Sequence, residues 1–168
     1  GADMPTIDPT LRPGKVTKWG EWVKSKPLVV NGAETRWRIL GKYDLVATNE
    51  DGTIGLIDCK VSDSQRDSGQ FYSPQLEAYA FSLENPAAGK AQTVASIGLL
   101  VWKPTTAIGT SVDDYGFGVF QKYVPVERDQ ANFLKVIGEF INVLEGELPD
   151  AGPECQTCNY LVARNALD

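Results

Sequence analysis

Two apolar, strand-like segments of this sequence carry charged residues at positions that a β-sheet would normally bury. Residues 35–48 and 53–61 are rich in β-forming residues, and the turn sequence N-E-D-G at 49–52 joins them. This pattern predicts a β-hairpin. Ionised side chains are rarely buried in such strands unless they are paired, so the charged residues constrain both fold and function. They are Asp44 on the first arm, and Asp58 and Lys60 on the second.

The hairpin register is expected to bring these three residues together. Side chains alternate between the two faces of a strand, so Asp58 and Lys60 point to one face and Cys59 to the other. A hairpin closed at that turn places the partner of Asp58 near residues 43–46, so Asp44 lies beside Asp58. Two adjacent carboxylates repel each other, and either a cation or a proton relieves the repulsion.

The arrangement predicts a one-cation site at the mouth of the sheet. Mg²⁺ suits a carboxylate pair because it is a hard ion that keeps several waters. Asp44, Asp58 and the backbone carbonyl of Cys59 would supply oxygens. Lys60 could orient the attacking water and stabilise the charge that develops on phosphorus. The alternative for D-x-K alone is a salt bridge at a strand end, because three-residue matches are frequent by chance.

A helix is predicted after the hairpin, over residues 73–84. Ser73 is suited to cap it, Pro74 suits its first position, and residues 85–86, Asn-Pro, end it. The polar stretch between hairpin and helix, Ser62 to Gly69, is predicted to be a loop.

One face of this helix carries two polar residues, Gln75 and Tyr79, which are four positions apart. Gln75 could hold a phosphate, a base edge or a metal-bound water, and Tyr79 could orient Lys60 or contact a nucleic-acid backbone. The alternative is a surface Gln and a core Tyr. Phe71 and Tyr72, in the predicted loop, could stack on bases or cap the core.

The remaining segments complete a mixed α/β pattern in one domain, 1–168. We expect an irregular lead-in over 1–14, a short helix over 15–26, a central strand over 92–103 ended by Pro104, a strand over 116–126 with Pro125 near its edge, a helix over 128–146 ended by Gly146, and a C-x-x-C tail over 148–168.

Composition is that of an ordinary globular domain. The chain has 168 residues, of which 42% are hydrophobic and 23% charged, which allows one core and argues against disorder. No apolar run reaches about 18 residues, so no transmembrane helix is expected. The net charge of −6 is unfavourable for a free-standing nucleic-acid binder. It does not exclude a metal-dependent nuclease, whose site is acidic until the cation binds.

Three Cys and no His limit the metal chemistry. Cys59 lies in an apolar strand and is expected to pack rather than ligate. Cys155 and Cys158 form the C-x-x-C pair. The odd number argues against a secreted disulfide framework, so a cytoplasmic location is the default expectation. The polar, Pro-rich start is unlike a signal peptide, and Gly1 in place of Met suggests a processed or N-terminally truncated chain.

Taken together, the motifs resemble the PD-(D/E)XK nuclease superfamily, and within it the branch of helicase-associated and CRISPR-associated exonucleases. The resemblance spans roughly residues 35–104, in the order and spacing of the family, with the cysteine pair as a second anchor. The motifs that carry it are G-K-Y-D at 41–44, I-D-C-K at 57–60, Q-L-E-A-Y-A at 75–80 and Cys155-x-x-Cys158-x-Tyr160.

The resemblance implies a restriction-endonuclease-like core, with a central mixed β-sheet flanked by helices, and phosphodiester hydrolysis that depends on Mg²⁺ or Mn²⁺. At the matching positions, Asp44 and Asp58 would be metal ligands, Lys60 the catalytic lysine, and Gln75 and Tyr79 the auxiliary motif. The branch further implies DNA ends or single strands as substrate, a helicase or other nucleic-acid-processing partner, and DNA repair or phage defence.

Two departures from the branch stand out. The branch usually has a metal-binding His or Glu on an earlier helix, whereas this chain has no His, and neither Glu21 nor Glu34 stands in a convincing motif. An iron–sulfur cluster or structural zinc site needs four ligands, whereas the tail offers only Cys155 and Cys158, so neither is expected. The pair is interpreted as a relic, a packing pair or a labile disulfide.

Two hypotheses of different classes follow. The first is a metal-dependent, exonuclease-like DNA nuclease, which the complete Asp, Asp, Lys, Gln and Tyr set favours. The second is a nuclease-fold nucleic-acid-binding or scaffold module without efficient cleavage, which the missing His and the acidic charge favour. Another kind of metal-dependent phosphoesterase is a weaker third, because no His cluster or Gly-rich phosphate loop supports it.

Overall fold

A mixed β-sheet with one helix packed against a face organises most of the chain in the computed structural model. The structure describes residues 1–4, 8–62, 69–111, 113–147 and 150–166. Numbered in chain order, the elements are β1 (Ala2–Asp3), β2 (Gly14–Trp19), β3 (Trp22–Lys24), β4 (Val29–Val30), β5 (Ala33–Glu34), β6 (Leu40–Lys42), β7 (Leu45–Asn49), β8 (Ile54–Val61), α1 (Gly69–Glu84), β9 (Val94–Ser111), β10 (Asp114–Val126), α2 (Gln130–Glu145) and α3 (Gln156–Asn165).

Within the described residues, the main sheet has six strands in the order β1-β2-β7-β8-β9-β10. β8 and β9 are parallel, and the other neighbours are antiparallel. A parallel pair needs a crossover connection, which here contains α1. Two short ribbons, β3–β6 and β4–β5, lie outside the main sheet. The predicted mixed sheet with helical packing is therefore confirmed.

Two apolar clusters cover the two faces of the sheet. On one face, α1 buries Leu76 and Ala80 against Leu56 and Leu99, which are among its fully buried residues. On the other face, a smaller cluster is formed by Ile57, Leu100 and Tyr123, with Met4, Leu11, Leu45 and Cys59 packed against it. Because side chains alternate along β8, the α1 face also receives Asp58.

The predicted hairpin is present as β7 and β8, with Leu45 opposite Ile57. Gly52 has a φ of +79° in the turn, as expected. The first arm is shorter than predicted, because residues 35–39 are not in a strand and β6 pairs with β3 instead of β8. Asp44 lies in the break between β6 and β7, where the chain passes from the small ribbon into the sheet.

The predicted helix over 15–26 is wrong, because this segment forms β2 and β3. Its apolar residues have loose helical spacing, but β2 alternates between partly buried and exposed residues and supplies the antiparallel neighbour of β7. Gly20, with a φ of +60°, separates the two strands. The lead-in over 1–14 is not wholly irregular either, since Ala2–Asp3 pairs with β2.

Helix α1 begins at Gly69, four residues before the predicted start, and ends at Glu84 as predicted. Ser73 and Pro74 are therefore inside the helix rather than at its start. Pro74 lacks the N–H that would bond to the carbonyl of Gln70. Because Gln70 and Pro74 are both exposed, water can bond to this carbonyl instead. Of the predicted loop, residues 63–68 lie outside the described residues.

Strand β9 is central, as predicted, but Pro104 does not end it. The parallel pairing with β8 ends at Trp102, so Pro104 lies where β9 has only β10 as a neighbour. Pro is tolerated in a strand at such positions because no second ladder needs its N–H. Pro125 lies near the end of β10, as predicted, and β10 is an edge strand of the sheet.

The backbone forms two compact units, Gly1–Leu134 and Lys135–Asp168. α2 starts in the first unit and ends at Glu145, directly before the predicted stop at Gly146. In the second unit, α3 follows the C-x-x-C segment. The single domain over 1–168 stays a prediction. Within the described residues, no helix is both long and apolar enough to span a membrane.

Candidate active site

The hairpin and the start of α1 bring together the residues that the sequence singled out. Leu45 is opposite Ile57, so the next position along the ladder brings Asp44 beside Asp58. The backbone N–H of Cys59 donates to Asp44 Oδ2 at 2.7 Å. Lys60 Nζ lies 2.6 Å from Asp58 Oδ2. The close approach expected from the hairpin register is therefore present.

Asp58 is a carboxylate in a nearly closed environment, with 3% of its surface exposed. Burial raises the pKa of Asp58, the nearby Asp44 raises it further, and Lys60 opposes both. Asp58 Oδ2 has Lys60 as its ion-pair partner but accepts no hydrogen bond of aligned geometry among the described residues. Because burial outweighs the effect of Lys60 on the pKa, the ionised form of Asp58 is only partly compensated, and additional positive charge would stabilise it.

The Lys60 ammonium lies between the Asp58 carboxylate and the ring of Tyr72. Its ammonium lies 4.5 Å from the ring centroid of Tyr72, a cation–π contact. Burial lowers the pKa of Lys60, but the ion pair with Asp58 outweighs it, and the net shift is upward. Lys60 is therefore a protonated donor at neutral pH. Tyr72 itself packs against the core, and its neighbour Phe71 is exposed; both lie in α1 rather than in a loop.

Gln75 links the helix to the hairpin. Its amide nitrogen donates to Asp58 Oδ1 at 3.2 Å and to the Tyr79 hydroxyl at 3.0 Å. Tyr79 thus reaches the site through Gln75 instead of contacting Lys60 directly. Because the Gln75 amide nitrogen donates to both Asp58 and Tyr79, the two hydrogen bonds together fix its orientation toward Asp58.

Gly41 has a role that the sequence reasoning did not assign. A Cβ at this position would collide with the ring of Tyr79, so β6 can approach α1 only with glycine there. A glycine inside an apolar, strand-like segment is a signal of close backbone approach, and it was available in the G-K-Y-D motif.

The donors fit a divalent cation that keeps most of its waters. Asp44 and Asp58 offer adjacent carboxylates. The buried Asp58 Oδ2 is paired with Lys60 but accepts no aligned hydrogen bond among the described residues. No group of three or more His, Cys, Asp or Glu in the described part of the chain could hold a metal. Mg²⁺ and Mn²⁺ accept such a sparse protein donor set, whereas structural zinc needs four ligands.

The two upstream acidic candidates are placed elsewhere. The carboxylate of Glu21 accepts a hydrogen bond from the Tyr43 hydroxyl at 2.9 Å. Burial raises the pKa of Tyr43, and Glu21 adds to the shift. Glu34 is an exposed residue of the β4–β5 ribbon. Within the described residues, neither carboxylate joins those of Asp44 and Asp58 in a group that could hold a metal.

The cysteines occupy two different settings. Cys59 packs on the opposite face from Asp58, as expected from strand alternation, and burial raises its pKa. Cys155 caps α3, where its sulfur accepts from the Cys158 N–H at 3.4 Å, and all three thiols are free. The labile disulfide is therefore not formed in this structure.

A buried ion-pair network was also missed from the sequence. Glu77, with 1% of its surface exposed, accepts from Arg128 Nε at 3.1 Å and from the Asp129 N–H at 2.7 Å. The same Arg128 pairs with Glu84 at 2.9 Å. The network ties α1 to the connection between β10 and α2. A charged residue between the buried Leu76 and Ala80 was the available signal.

A mixed sheet, a crossover helix on one face and an Asp, Asp and Lys set beside that helix define a restriction-endonuclease-like core. The family model of the PD-(D/E)XK nuclease superfamily matches residues 10–163. The chain therefore belongs to the PD-(D/E)XK nuclease superfamily, a family of hydrolytic nucleases that act on nucleic acids.

Structural and sequence comparisons add little beyond the family. The crystal structure of SSO0001 aligns with a TM-score of 0.44 and 19% identity over 83% of this chain. The aligned chain spans 57% of the length of SSO0001. The comparison with curated proteins found no match.

Proposed function

We propose that this chain is a metal-dependent, exonuclease-like DNA nuclease that acts on DNA ends or single strands. The observation that carries the proposal is the buried carboxylate of Asp58, which is flanked by Asp44 and Lys60 and whose pKa burial raises in spite of the Lys60 ion pair. A buried ion pair of this kind adds little to the stability of a fold. It is typical of a functional site, because side chains with perturbed pKa values concentrate where a protein binds or reacts.

Asp44, Asp58 and the backbone carbonyl of Cys59 would hold Mg²⁺ or Mn²⁺. When bound, this ion would supply Lewis-acid activation of a water molecule for attack on the phosphodiester. The protein holds both carboxylates in place beforehand. The Cys59 N–H fixes Asp44, and Gln75 fixes Asp58. Such preorganisation lowers the cost of assembling the site during the reaction.

Lys60 acts as a charged donor rather than as a base. Its raised pKa keeps the proton on Nζ, from which it can donate to a non-bridging oxygen of the scissile phosphate. As the water oxygen bonds to phosphorus, negative charge grows on those oxygens and the donor stabilises it. The attacking water releases a proton to solvent, the bond from phosphorus to the leaving sugar oxygen breaks, and that oxygen takes up a proton from solvent. Tyr72 limits the motion of the ammonium.

Gln75 and Tyr79 are proposed as positioning residues on α1. The Tyr79 hydroxyl fixes the Gln75 amide, which in turn holds Asp58 Oδ1. The exonuclease branch, a helicase or other processing partner, and a role in DNA repair or phage defence remain predictions from the resemblance.

The second candidate function is a nuclease-fold binding or scaffold module. One observation favours it: Lys60 pairs directly with Asp58 at 2.6 Å, which is the contact an ordinary salt bridge would make. In that case DNA would be bound but not cleaved. The two candidates differ in whether a divalent cation competes with Lys60 for Asp58.

A cleavage assay with end-labelled single-stranded and duplex DNA, in Mn²⁺ and in EDTA, tests the proposal. We expect cleavage only with the ion and progressive shortening from an end. Asp58→Ala and Lys60→Ala should each lower the rate by roughly 100-fold or more, the scale of losing one transition-state donor or its equivalent. Lys60→Arg should recover part of the loss.

The matched control is Asp51→Asn, an exposed carboxylate in the hairpin turn, which should cleave at the wild-type rate. Mn²⁺ should also raise the unfolding temperature of the wild type but not of Asp44→Asn, because a ligand that binds only the folded state stabilises it. Unchanged cleavage in Asp58→Ala and Lys60→Ala would overturn the proposal that this site is a nuclease active site. DNA binding with no cleavage in Mn²⁺ would support the scaffold.

A further inference from the structure

Positive charge is concentrated in the segment Gly14–Lys42. This segment contains seven Lys or Arg and two Glu, a net charge of +5, whereas the whole chain carries −6. It also lies beside the candidate site, because the Gly20 N–H donates to the Asp44 carbonyl at 2.8 Å. In an acidic protein that binds a polyanion, positive charge is expected along the surface that the substrate contacts, because it attracts the substrate there.

A cleft of about 480 Å³ opens between β3 and the chain that follows α1. Hydrogen bonds of 2.8 Å hold its walls together, from Lys26 N to Asn85 O and from Ala87 N to Lys24 O. The size is usual for a ligand site. Its charged and aromatic lining residues are Lys18, Glu21, Trp22, Lys24, Tyr43 and Lys90.

The lining is positive and presents an open aromatic ring. None of the three lysines forms an ion pair with a carboxylate of the described chain. The carboxylate of Glu21 already accepts from Tyr43. Trp22 is 69% exposed, an unusual state for an indole. Free cations beside an exposed aromatic ring are the combination that binds single-stranded nucleic acid, phosphates on the cations and a base on the ring.

The cleft and the candidate site both adjoin α1, at different positions along the helix. Gln75, Tyr79 and Leu83 follow at four-residue intervals, so they share a face of the helix. Gln75 contacts Asp58, and Leu83 lines the cleft. The eight residues between them span roughly 12 Å. The β3–β6 ribbon packs over this helix face, with Gly41 against Tyr79, so a nucleic-acid strand that reaches both places would cross the outer surface of the ribbon.

We propose that this cleft, formed by β3 and the segment after α1, binds an unpaired strand of nucleic acid. Lys18, Lys24 and Lys90 contact its phosphates, and Trp22 stacks on a base a few nucleotides from the phosphate at Asp58. The proposal rests on the proposed function and adds the path of the substrate. Stacking requires an unpaired base, so the cleft selects single strands over duplexes.

Equilibrium binding of a fluorescein-labelled oligothymidine to the full chain in EDTA tests the cleft without cleavage. We expect Trp22→Ala to weaken binding roughly tenfold, the effect of losing one stacked base. Trp22→Phe should keep most of the affinity but lose the part of the tryptophan-fluorescence quenching that comes from Trp22. Lys24→Ala should reduce the slope of log affinity against log salt by about 0.7, the value for one phosphate contact on a single strand.

The matched control is Lys122→Ala, an exposed lysine of β10 that does not line the cleft. It should leave the salt slope and the affinity near those of the wild type. Unchanged binding in Trp22→Ala, equal losses in Lys24→Ala and Lys122→Ala, or duplex binding as tight as single-strand binding would each overturn the proposal.

The same variants separate the cleft from the proposed function. If the wild type does not cleave in Mn²⁺ but binding still depends on Trp22, the nuclease activity fails and the cleft stands. If the wild type cleaves and Trp22→Ala binds and cleaves normally, the cleft fails and the activity stands. Unfolding temperatures of all variants check that these exposed substitutions leave the fold intact.

Discussion

At the scale of single residues, Asp58 combines a cost in stability with the chemistry of the site. The carboxylate is almost fully buried, and its pKa is raised by burial and by Asp44. An acid with a raised pKa in the folded state costs stability once pH exceeds its unfolded value, because the folded chain holds its proton more tightly than the unfolded chain. Lys60 offsets only part of this cost.

Asp58→Asn is expected to stabilise the metal-free protein while abolishing cleavage. At neutral pH the gain should be about 0.5–2 kcal/mol, the usual range when a strained functional group is replaced. The gain should be absent below the unfolded pKa of 3.8 and should grow as pH rises through the higher folded value. Urea unfolding in EDTA at several pH values measures it, and lower stability of the variant at neutral pH would contradict it.

Asp51 provides the opposite case for comparison. Hydrogen bonds from Thr53, with help from Arg12, lower the pKa of Asp51 to about 2. Its ionised form therefore contributes stability that is present above pH 3.8 and is lost as pH falls through about 2. Asp51→Asn should consequently reduce stability at neutral pH, the reverse of Asp58→Asn, when both are measured under the same conditions.

At the scale of elements, the site depends on how closely the β3–β6 ribbon approaches α1. Gly41 gives room for the ring of Tyr79, and Tyr79 in turn fixes Gln75. The position of Asp58 is therefore supported from a strand that does not belong to the main sheet. This support has no counterpart in the local sequence of β8.

Gly41→Ala is expected to destabilise the fold by about 1–3 kcal/mol, as overpacking does in a tight contact. It should also slow cleavage, because the displaced Tyr79 releases Gln75. In a Tyr79→Ala background the same change should cost much less, since the ring has gone. Denaturant unfolding of the two single variants and the double variant measures the coupling.

A suitable control is Gly116→Ala in β10, where an added Cβ meets no atom of the described chain within 4 Å. Its stability should stay close to that of the wild type. Additive costs for Gly41→Ala and Tyr79→Ala would show that the ring and the glycine are independent.

At the scale of the whole molecule, charge is distributed so that one buried network supports the fold and the free cations face outward. Glu77, Glu84 and Arg128 join α1 to the connection after β10. By contrast, Lys18, Lys24 and Lys90 line an open cleft. Both features lie in the first compact unit, Gly1–Leu134.

Glu77→Gln is expected to cost about 3 kcal/mol, the lower end for a buried pair that loses one partner. The lower end applies because Glu84 still pairs with Arg128. Glu84→Gln should cost less, since the side chain of Glu84 is 23% exposed and that of Glu77 only 1%. Chemical unfolding of both variants tests the order, and a larger loss in Glu84→Gln would contradict it.

The sequence by itself determined the features that depend on local periodicity and turn chemistry. These are the hairpin closed at Gly52, the shared face of Asp58 and Lys60, the paired positions of Gln75 and Tyr79, and the C-terminal ends of α1 and α2. Each follows from side-chain spacing or from a glycine or proline, which act within a few residues.

Only the tertiary structure decided features that depend on a distant neighbour. Residues 15–24 became strands because β7 and β6 offered partners for pairing, and β9 continued past Pro104 because β8 no longer paired there. Arg128 pairs with Glu77, which is 51 residues away in the sequence. The cleft arose from β3 meeting the segment after α1. Hydrogen-bonding partners and burial across such separations depend on the assembled fold, so local sequence patterns do not reveal them.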